Sequence, residues 1–361
     1  MKKDIMKIVF VIIGTMIGAG FASGQEMYLF FFSYGLNGII GILISCSLMG
    51  VVIYKTLQIL NKYEIKNYKE FLDILIENKS NKMTFILKNI INLIINTFIL
   101  ITFFIMIAGF GAYFEQEFGI NSIIGSSALG ILCFIIFLTS VKGVVKANEL
   151  LVPVLIIFLI IIGIVNLKAI NLLELENYVI RTNSSNYILS AILYSSYNSI
   201  LLIPVLLTLK KYVKDEKQIA WVSIINSLIM ILLSIIIYLI LVRVDVDITK
   251  LEMPAVYVVS NIFALLKYVY GFIILGSIFT TAISLGTSFL QNVTRNKKSY
   301  TQVGIIMCIT AVLISKIGFS NLVSLLYPIF GYLGLIQILK IVFIRNIETK
   351  LKNEKLKGLK N

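Results

Sequence analysis

Histidine is absent from the 361 residues, and charged residues make up only 14% of them. The first absence removes the usual zinc ligand, the usual triad base and the imidazole proton relay. The second excludes an ordinary soluble enzyme, in which about 25% of residues are charged. Cysteine is scarce too. Cys46, Cys133 and Cys308 lie far apart within apolar runs. They form neither a metal-ligand spacing nor a disulfide framework, and each reads as a small buried hydrophobe. No phosphate loop, metal cluster or nucleophile with a base can be read, so no covalent chemistry and no cofactor are expected.

What the sequence has is apolar length. Hydrophobic residues reach 58% and mean hydropathy is +0.95. Long uncharged runs recur from end to end, which indicates an all-α polytopic membrane protein. The run Leu155–Val165 does not alternate apolar with polar residues, which excludes an outer-membrane barrel. Met1-Lys2-Lys3 before an apolar stretch, with Ala19 and Ala22 beyond, has the outline of a signal peptide. The stretch instead continues through a polar patch into more membrane sequence, so it reads as a first span.

Ten spans are expected, at about 6–33, 37–60, 85–113, 122–140, 149–168, 187–209, 218–242, 265–292, 301–316 and 320–345. A short helix around Pro254–Leu265 would lie over the core. With the N-terminus inside and alternating crossings, 26 of the 32 lysines and arginines fall on the inner side and six on the outer. That asymmetry predicts an even number of spans with both termini cytoplasmic. It also accounts for the net charge of +14: the basic loops face cytoplasm and anionic lipid, and no nucleic acid is required. The expected location is the cell membrane.

Spans two and seven, three and eight, and four and nine begin about 180 residues apart. Five spans is an odd number, so the second five would enter from the opposite side. The pattern predicts a single transmembrane domain, 1–345, built as a five-plus-five inverted repeat of 6–168 and 187–345, with a basic cytoplasmic tail over 346–361.

The first span holds the main chemical signal. It reads Gly14-Thr15-Met16-Ile17-Gly18-Ala19-Gly20-Phe21-Ala22-Ser23-Gly24-Gln25-Glu26. Gly14-x-x-x-Gly18 and Gly20-x-x-x-Gly24 match a helix-packing motif. Gly18-x-Gly20 lacks the strand and the third glycine of a dinucleotide loop. A carboxylate within a span is costly unless it serves a purpose. The glycines with Ser23, Gln25 and Glu26 favour a broken helix whose freed amides hold a carboxylate and whose freed carbonyls hold a cation.

These thirteen residues resemble the opening signature of the YkvI-type bacterial membrane proteins, regarded as permeases related to the amino acid–polyamine–organocation superfamily. Gly18-Ala19-Gly20 stands where that superfamily has its glycine-rich break. The resemblance implies a LeuT-type fold with spans one and six broken around a central site. It implies no particular ligand. Span six would place Tyr194, Ser195, Tyr197 and Asn198 against the first break, although this span has no glycine at its middle. With Gly18, Ala19, Gly20 and Phe21 they form the expected substrate site.

In sodium-coupled proteins of this fold, hydroxyls of span eight join carbonyls of span one around the ion. Thr280 and Thr281, with carbonyls near Ile17 and Gly20, are the residues that carry over. The competing reading is that these hydroxyls bond their own helix. Some relatives replace the ion with a lysine on span five, and Leu151–Val165 contains none. Glu26 keeps proton coupling open.

Elsewhere, Asn89, Asn92 and Asn96 share a helix face and read as packing contacts. Glu115 and Glu117 read as solvated. The 61–84 loop reads as an amphipathic helix on the cytoplasmic face. The expected function is secondary transport of a small zwitterionic or cationic solute, most simply an amino acid, by alternating access coupled to sodium or protons. The alternative is a non-transporting amino-acid sensor on the same fold, resembling the membrane subunit of a germination receptor and needing protein partners.

Overall fold

The structure, a computed structural model, describes residues 2–63, 65, 70–71, 82–138, 142–167, 186–262, 264–294 and 296–343. The expected amphipathic loop lies largely outside these residues, and the basic tail lies wholly outside them. Every regular element among the described residues is helical. In chain order they are α1 (Lys2–Met16), α2 (Ala19–Ser23), α3 (Gln25–Phe30), α4 (Leu36–Lys62), α5 (Lys82–Phe118), α6 (Ser122–Leu138) and α7 (Lys142–Leu167). The second half holds α8 (Tyr187–Leu209), α9 (Glu216–Leu241), α10 (Pro254–Ile262), α11 (Ala264–Val293), α12 (Lys297–Ile314) and α13 (Phe319–Val342). Short 3-10 turns join several of them.

Local chemistry sets the helix starts. Asn186, Asp215 and Asn296 each accept a hydrogen bond from the backbone amide three residues on, capping α8, α9 and α12. A cap of this kind stabilises a helix by about 1 kcal/mol. Seven helices among the described residues are long and apolar enough to cross a membrane. Their outward faces are apolar: Ile124, Ile131 and Ile135 on α6, Leu228 and Leu232 on α9, and Ile306, Ile309 and Leu313 on α12 are all exposed. Such belts suit hydrocarbon and not water. The protein is a multi-pass membrane protein.

At the centre, α8 lies between α4 and α13, while α5 pairs with α6 and α11. The first helix packs on α7, α8 and α9. Its two continuations, α2 and α3, are enclosed by α8, α9, α10, α11 and α13. The short α10 covers this region, as the sequence suggested.

The first span is broken twice. Ile17 and Gly18 leave the helix between α1 and α2. Gly24 then adopts a left-handed conformation, φ +86°, between α2 and α3. The span-six break is not there. α8 is one continuous helix through Tyr194–Ser199 and Pro204. Its polar groups turn back on their own backbone: Ser195 bonds the Ala191 carbonyl (2.9 Å), Ser196 that of Ile192 (2.7 Å), Asn198 that of Tyr194 (3.0 Å) and Ser199 that of Ser195 (2.7 Å). Without glycine, and with the serines and Asn198 bonded inside the helix, nothing forces the chain to open.

At the end of the bundle away from α10, Lys214 pairs with Asp4 at 2.7 Å. The adjacent carboxylate raises the Lys214 pKa above its ordinary value. Near α10, hydrogen bonds from Thr249 hold the Asp247 carboxyl below its ordinary value.

Gly24 supplies the first prediction. A side chain there would meet Ala255 Cβ and Leu241 Cδ2 at 3.0 Å in a conformation that L residues avoid. Gly24→Ala should cost about 1–2 kcal/mol from the left-handed backbone alone, read as a lower apparent melting temperature in detergent. An unchanged melt would show that this turn is not needed.

Candidate functional site

Breaking a helix inside a membrane frees backbone groups that must find partners. The partners here come from several helices. Ala22 N–H bonds the Gly18 carbonyl (3.1 Å) and Gly24 N–H bonds that of Phe21 (3.1 Å). The Tyr270 hydroxyl of α11 donates to the Ala22 carbonyl at 2.5 Å. The Ser190 hydroxyl of α8 donates to the Phe30 carbonyl at 2.7 Å. Ser23 Oγ donates to the Gly20 carbonyl at 3.1 Å and accepts from the Gln25 amide at 3.3 Å.

The turn at Gly24 folds α3 back so that Glu26 lies over α2. Its carboxyl group packs directly against Gly20, in the space a Cβ would fill. The Phe21 amide points at it. This amide lies in the first turn of α2, where N–H groups lack helical partners. Tyr197 Oη donates to Glu26 Oε2 at 2.5 Å. The Tyr194 hydroxyl faces the same carboxyl but completes no hydrogen bond. Glu26 is 3% exposed, so it is no interfacial residue.

Aromatic rings complete the enclosure. Tyr197 stacks on Tyr327 of α13 (centroids 4.7 Å apart) and on Phe30 (5.5 Å), and meets Tyr194 edge-on (5.4 Å). Phe30 and Phe31 also meet Tyr194, at 5.4 and 4.9 Å.

A second feature lies on the other side of the break. Gly14 and Ile17 at the end of α1, Val152 and Leu155 of α7, and Ser277, Thr280 and Thr281 of α11 line a small cavity of about 10 Å³. Thr280 Oγ1 donates within its helix, to the Gly276 and Ser277 carbonyls (3.0 and 3.2 Å). The Thr281 hydroxyl makes no hydrogen bond among the described residues.

The structure thus brings Ile17, Thr280 and Thr281 together, and separately Gly20, Phe21, Glu26, Tyr194 and Tyr197. Gly20 does not line the cavity. Gly14, one helical turn before Ile17, takes that place. Gly18 has open space beside it, with Met106 3.9 Å from where a Cβ would lie. Ala19 faces Gly109 of α5. Ser195 reaches the Ser45 carbonyl of α4 (3.0 Å) as well as its own helix, and Asn198 is engaged within α8. Ser195 thus ties α8 to α4, and neither residue bonds the first span among the described residues.

Sequence reasoning placed a covering helix but missed the bonds that hold it. Gln25 Nε2 donates to the carbonyls of Leu251 (2.6 Å) and Glu252 (3.0 Å). Gln116 holds both the amide (2.8 Å) and the carbonyl (3.0 Å) of Met253. Glu252 accepts from the Ser320 amide at 2.7 Å. Glu117 is not solvated: it accepts from Ser260 at 2.7 Å and pairs with Lys267 at 3.3 Å, its side chain 5% exposed. Amides within a span's polar patch were the one available signal, but their partners lie more than 130 residues away. Asn96 and Asn292 are joined at an exposed position at 3.0 Å, consistent with packing.

Fold and sites together define a helical membrane protein built like known transporters. Its fold is shared with the inward-facing conformation of Mhp1, at 13% identity and a TM-score of 0.62, covering 92% of this chain and 75% of that one. It is also shared with a Na+-coupled sialic acid symporter in a substrate-bound outward-open state, at 13% identity and 0.55, covering 93% and 78%. In sequence, the chain is similar to the uncharacterized membrane protein YkvI of Bacillus subtilis, 29% identical over 343 residues, covering 92% of this chain and 94% of the relative. It is 25% identical over 332 residues to YyaD of the same organism, covering 91% and 94%. No protein-family profile matches.

The covering segment yields a prediction. Ala255 is buried, and the three native cysteines are buried as well. A cysteine introduced by Ala255→Cys should therefore react slowly with an impermeant maleimide. Adding Gln25→Leu, which strips both amide bonds, should speed that labelling several-fold. An unchanged rate would show that Gln25 does not hold the segment.

Proposed function

We propose that the protein is a secondary active transporter working by alternating access, with a small zwitterionic or cationic solute carrying an amine as its cargo. The observation that carries this reading is the doubly interrupted first span, which has a buried carboxyl on one side and a hydroxyl-lined cavity on the other. Interrupted helices at mid-membrane are where secondary transporters place substrate and ion. The shared fold with a Na+-coupled symporter is consistent with it.

In this reading the membrane domain has ten crossings in two inverted halves, with both termini cytoplasmic. The near-constant spacing of α4 and α9, α5 and α11, α6 and α12, and α7 and α13 supports the repeat. The basic-residue asymmetry supports the orientation. The α10 segment then closes the outer side, and the Lys214–Asp4 pair lies at the inner side.

Sodium would enter the cavity, held by carbonyls of Gly14 and Ile17 and hydroxyls of Ser277, Thr280 and Thr281. Oxygen donors suit a hard cation. Glu26 is the second coupling candidate. The titratable groups facing it are Tyr194, Tyr197 and Tyr327, and it forms no ion pair among the described residues. A carboxyl so placed could load a proton on one side of the membrane and release it on the other.

Uptake into proteoliposomes tests the proposal. Solute accumulation should follow an imposed sodium or proton gradient. With sodium coupling, Thr280→Val with Thr281→Val should lower sodium stimulation at least ten-fold while the protein remains folded. With proton coupling, Glu26→Gln should remove gradient-driven uptake and leave sodium without effect. Binding with no uptake under either gradient would favour the sensor.

A further inference from the structure

We propose that Glu26 is a built-in occupant of the place a substrate carboxylate would take, so that the cargo is an amine bearing no carboxylate at that end. The inference rests on the transporter reading and narrows its substrate class.

The sequence suggested that amides freed around Ala19–Phe21 would receive the carboxylate of an amino acid. The structure puts the chain's own carboxyl there. It packs on Gly20, lies near the Phe21 amide and accepts from Tyr197. A Cβ at position 20 would occupy the space of the Glu26 carboxyl, so a larger residue there would force that side chain to move. A second carboxylate would find the Tyr197 hydroxyl already engaged and would be repelled whenever Glu26 is ionised, in a buried space where repulsion is poorly screened.

The same surroundings suit a positive group. No lysine or arginine pairs with Glu26 among the described residues, and burying an unpaired carboxylate is costly. The Tyr194 hydroxyl, fully buried, faces the carboxyl with its own bonding incomplete. Phe30, Tyr194, Tyr197 and Tyr327 offer ring faces and edges, and rings attract an ammonium group. An inorganic cation is a poorer match, because calcium and similar hard ions take six or more oxygens. Among the described residues no three His, Cys, Asp or Glu side chains gather. A small alkylammonium carries one charge for Glu26 and an apolar body for the rings.

The test uses the full chain in detergent, with apparent melting temperature as the readout and three probes: propylammonium, propionate, and 2-aminobutyrate, which is propylammonium with a carboxylate on its amine-bearing carbon. A ligand of the native state raises apparent stability by mass action. Propylammonium should stabilise the wild type, and the other two should not. Glu26→Gln should abolish that shift. Glu26→Ala, which vacates the space, should gain stabilisation by propionate, a switch that a merely structural role would not produce. Should both variants fail to fold, Phe30→Leu keeps the carboxyl and trims one ring. It should weaken propylammonium binding about five-fold, as expected for loss of one ring contact.

The inference is overturned if propionate or 2-aminobutyrate stabilises the wild type as well as propylammonium does, if no ammonium probe acts, or if Glu26→Gln keeps the shift. Transport assays with the same probes separate the two readings. Uptake of 2-aminobutyrate by the wild type would overturn this inference and leave the transporter standing. Propylammonium binding without uptake would support the amine site and overturn transport.

Discussion

A membrane offers no water to an unpaired peptide group, and the interrupted first span makes that constraint organise the whole centre. Once the chain leaves the helix at Ile17 and turns at Gly24, each freed group must be met by something brought from elsewhere. Tyr270 arrives from α11, Ser190 and Tyr197 from α8, and Gln25 turns to the α10 segment. The helices around the break are therefore held to it by specific bonds as well as by packing. The resulting centre is polar where the first span opens and predominantly apolar around it.

The two polar features differ in kind. The cavity beside Ile17 offers hydroxyls and lies against Val152 and Leu155, with a mouth that connects it to space. The Glu26 site is closed, its carboxyl enclosed by buried aromatic rings. A closed site around a group of potential charge is poised energetically. It is stable while the carboxyl is neutral or paired and strained when the carboxyl is charged and alone. That property distinguishes it from a preformed apolar pocket.

Much of this arrangement is legible in the chain. Span positions follow from apolar length, and the break follows from glycines in a place where a helix would otherwise continue. The importance of Glu26 follows from the cost of a carboxylate at that depth. Other parts are not legible because they depend on which groups meet. Hydroxyls in an apolar helix look alike whether they line a site or bond their own turn, so Ser195 and Asn198 could not be separated from Tyr197. The direction in which Glu26 points depends on the left-handed turn at Gly24, which composition does not reveal. The partners of Gln25 and Gln116 lie in a distant loop with no periodic pattern.

One helix touches both pieces of the broken span. On α11, Tyr270 holds the end of α2, while Ser277, Thr280 and Thr281 face the end of α1. The two contacts are about 15 Å apart along one rod, at 1.5 Å per residue. A rod held at two points couples them: sliding of α11 along its own axis at the cavity is carried to the Ala22 carbonyl as well.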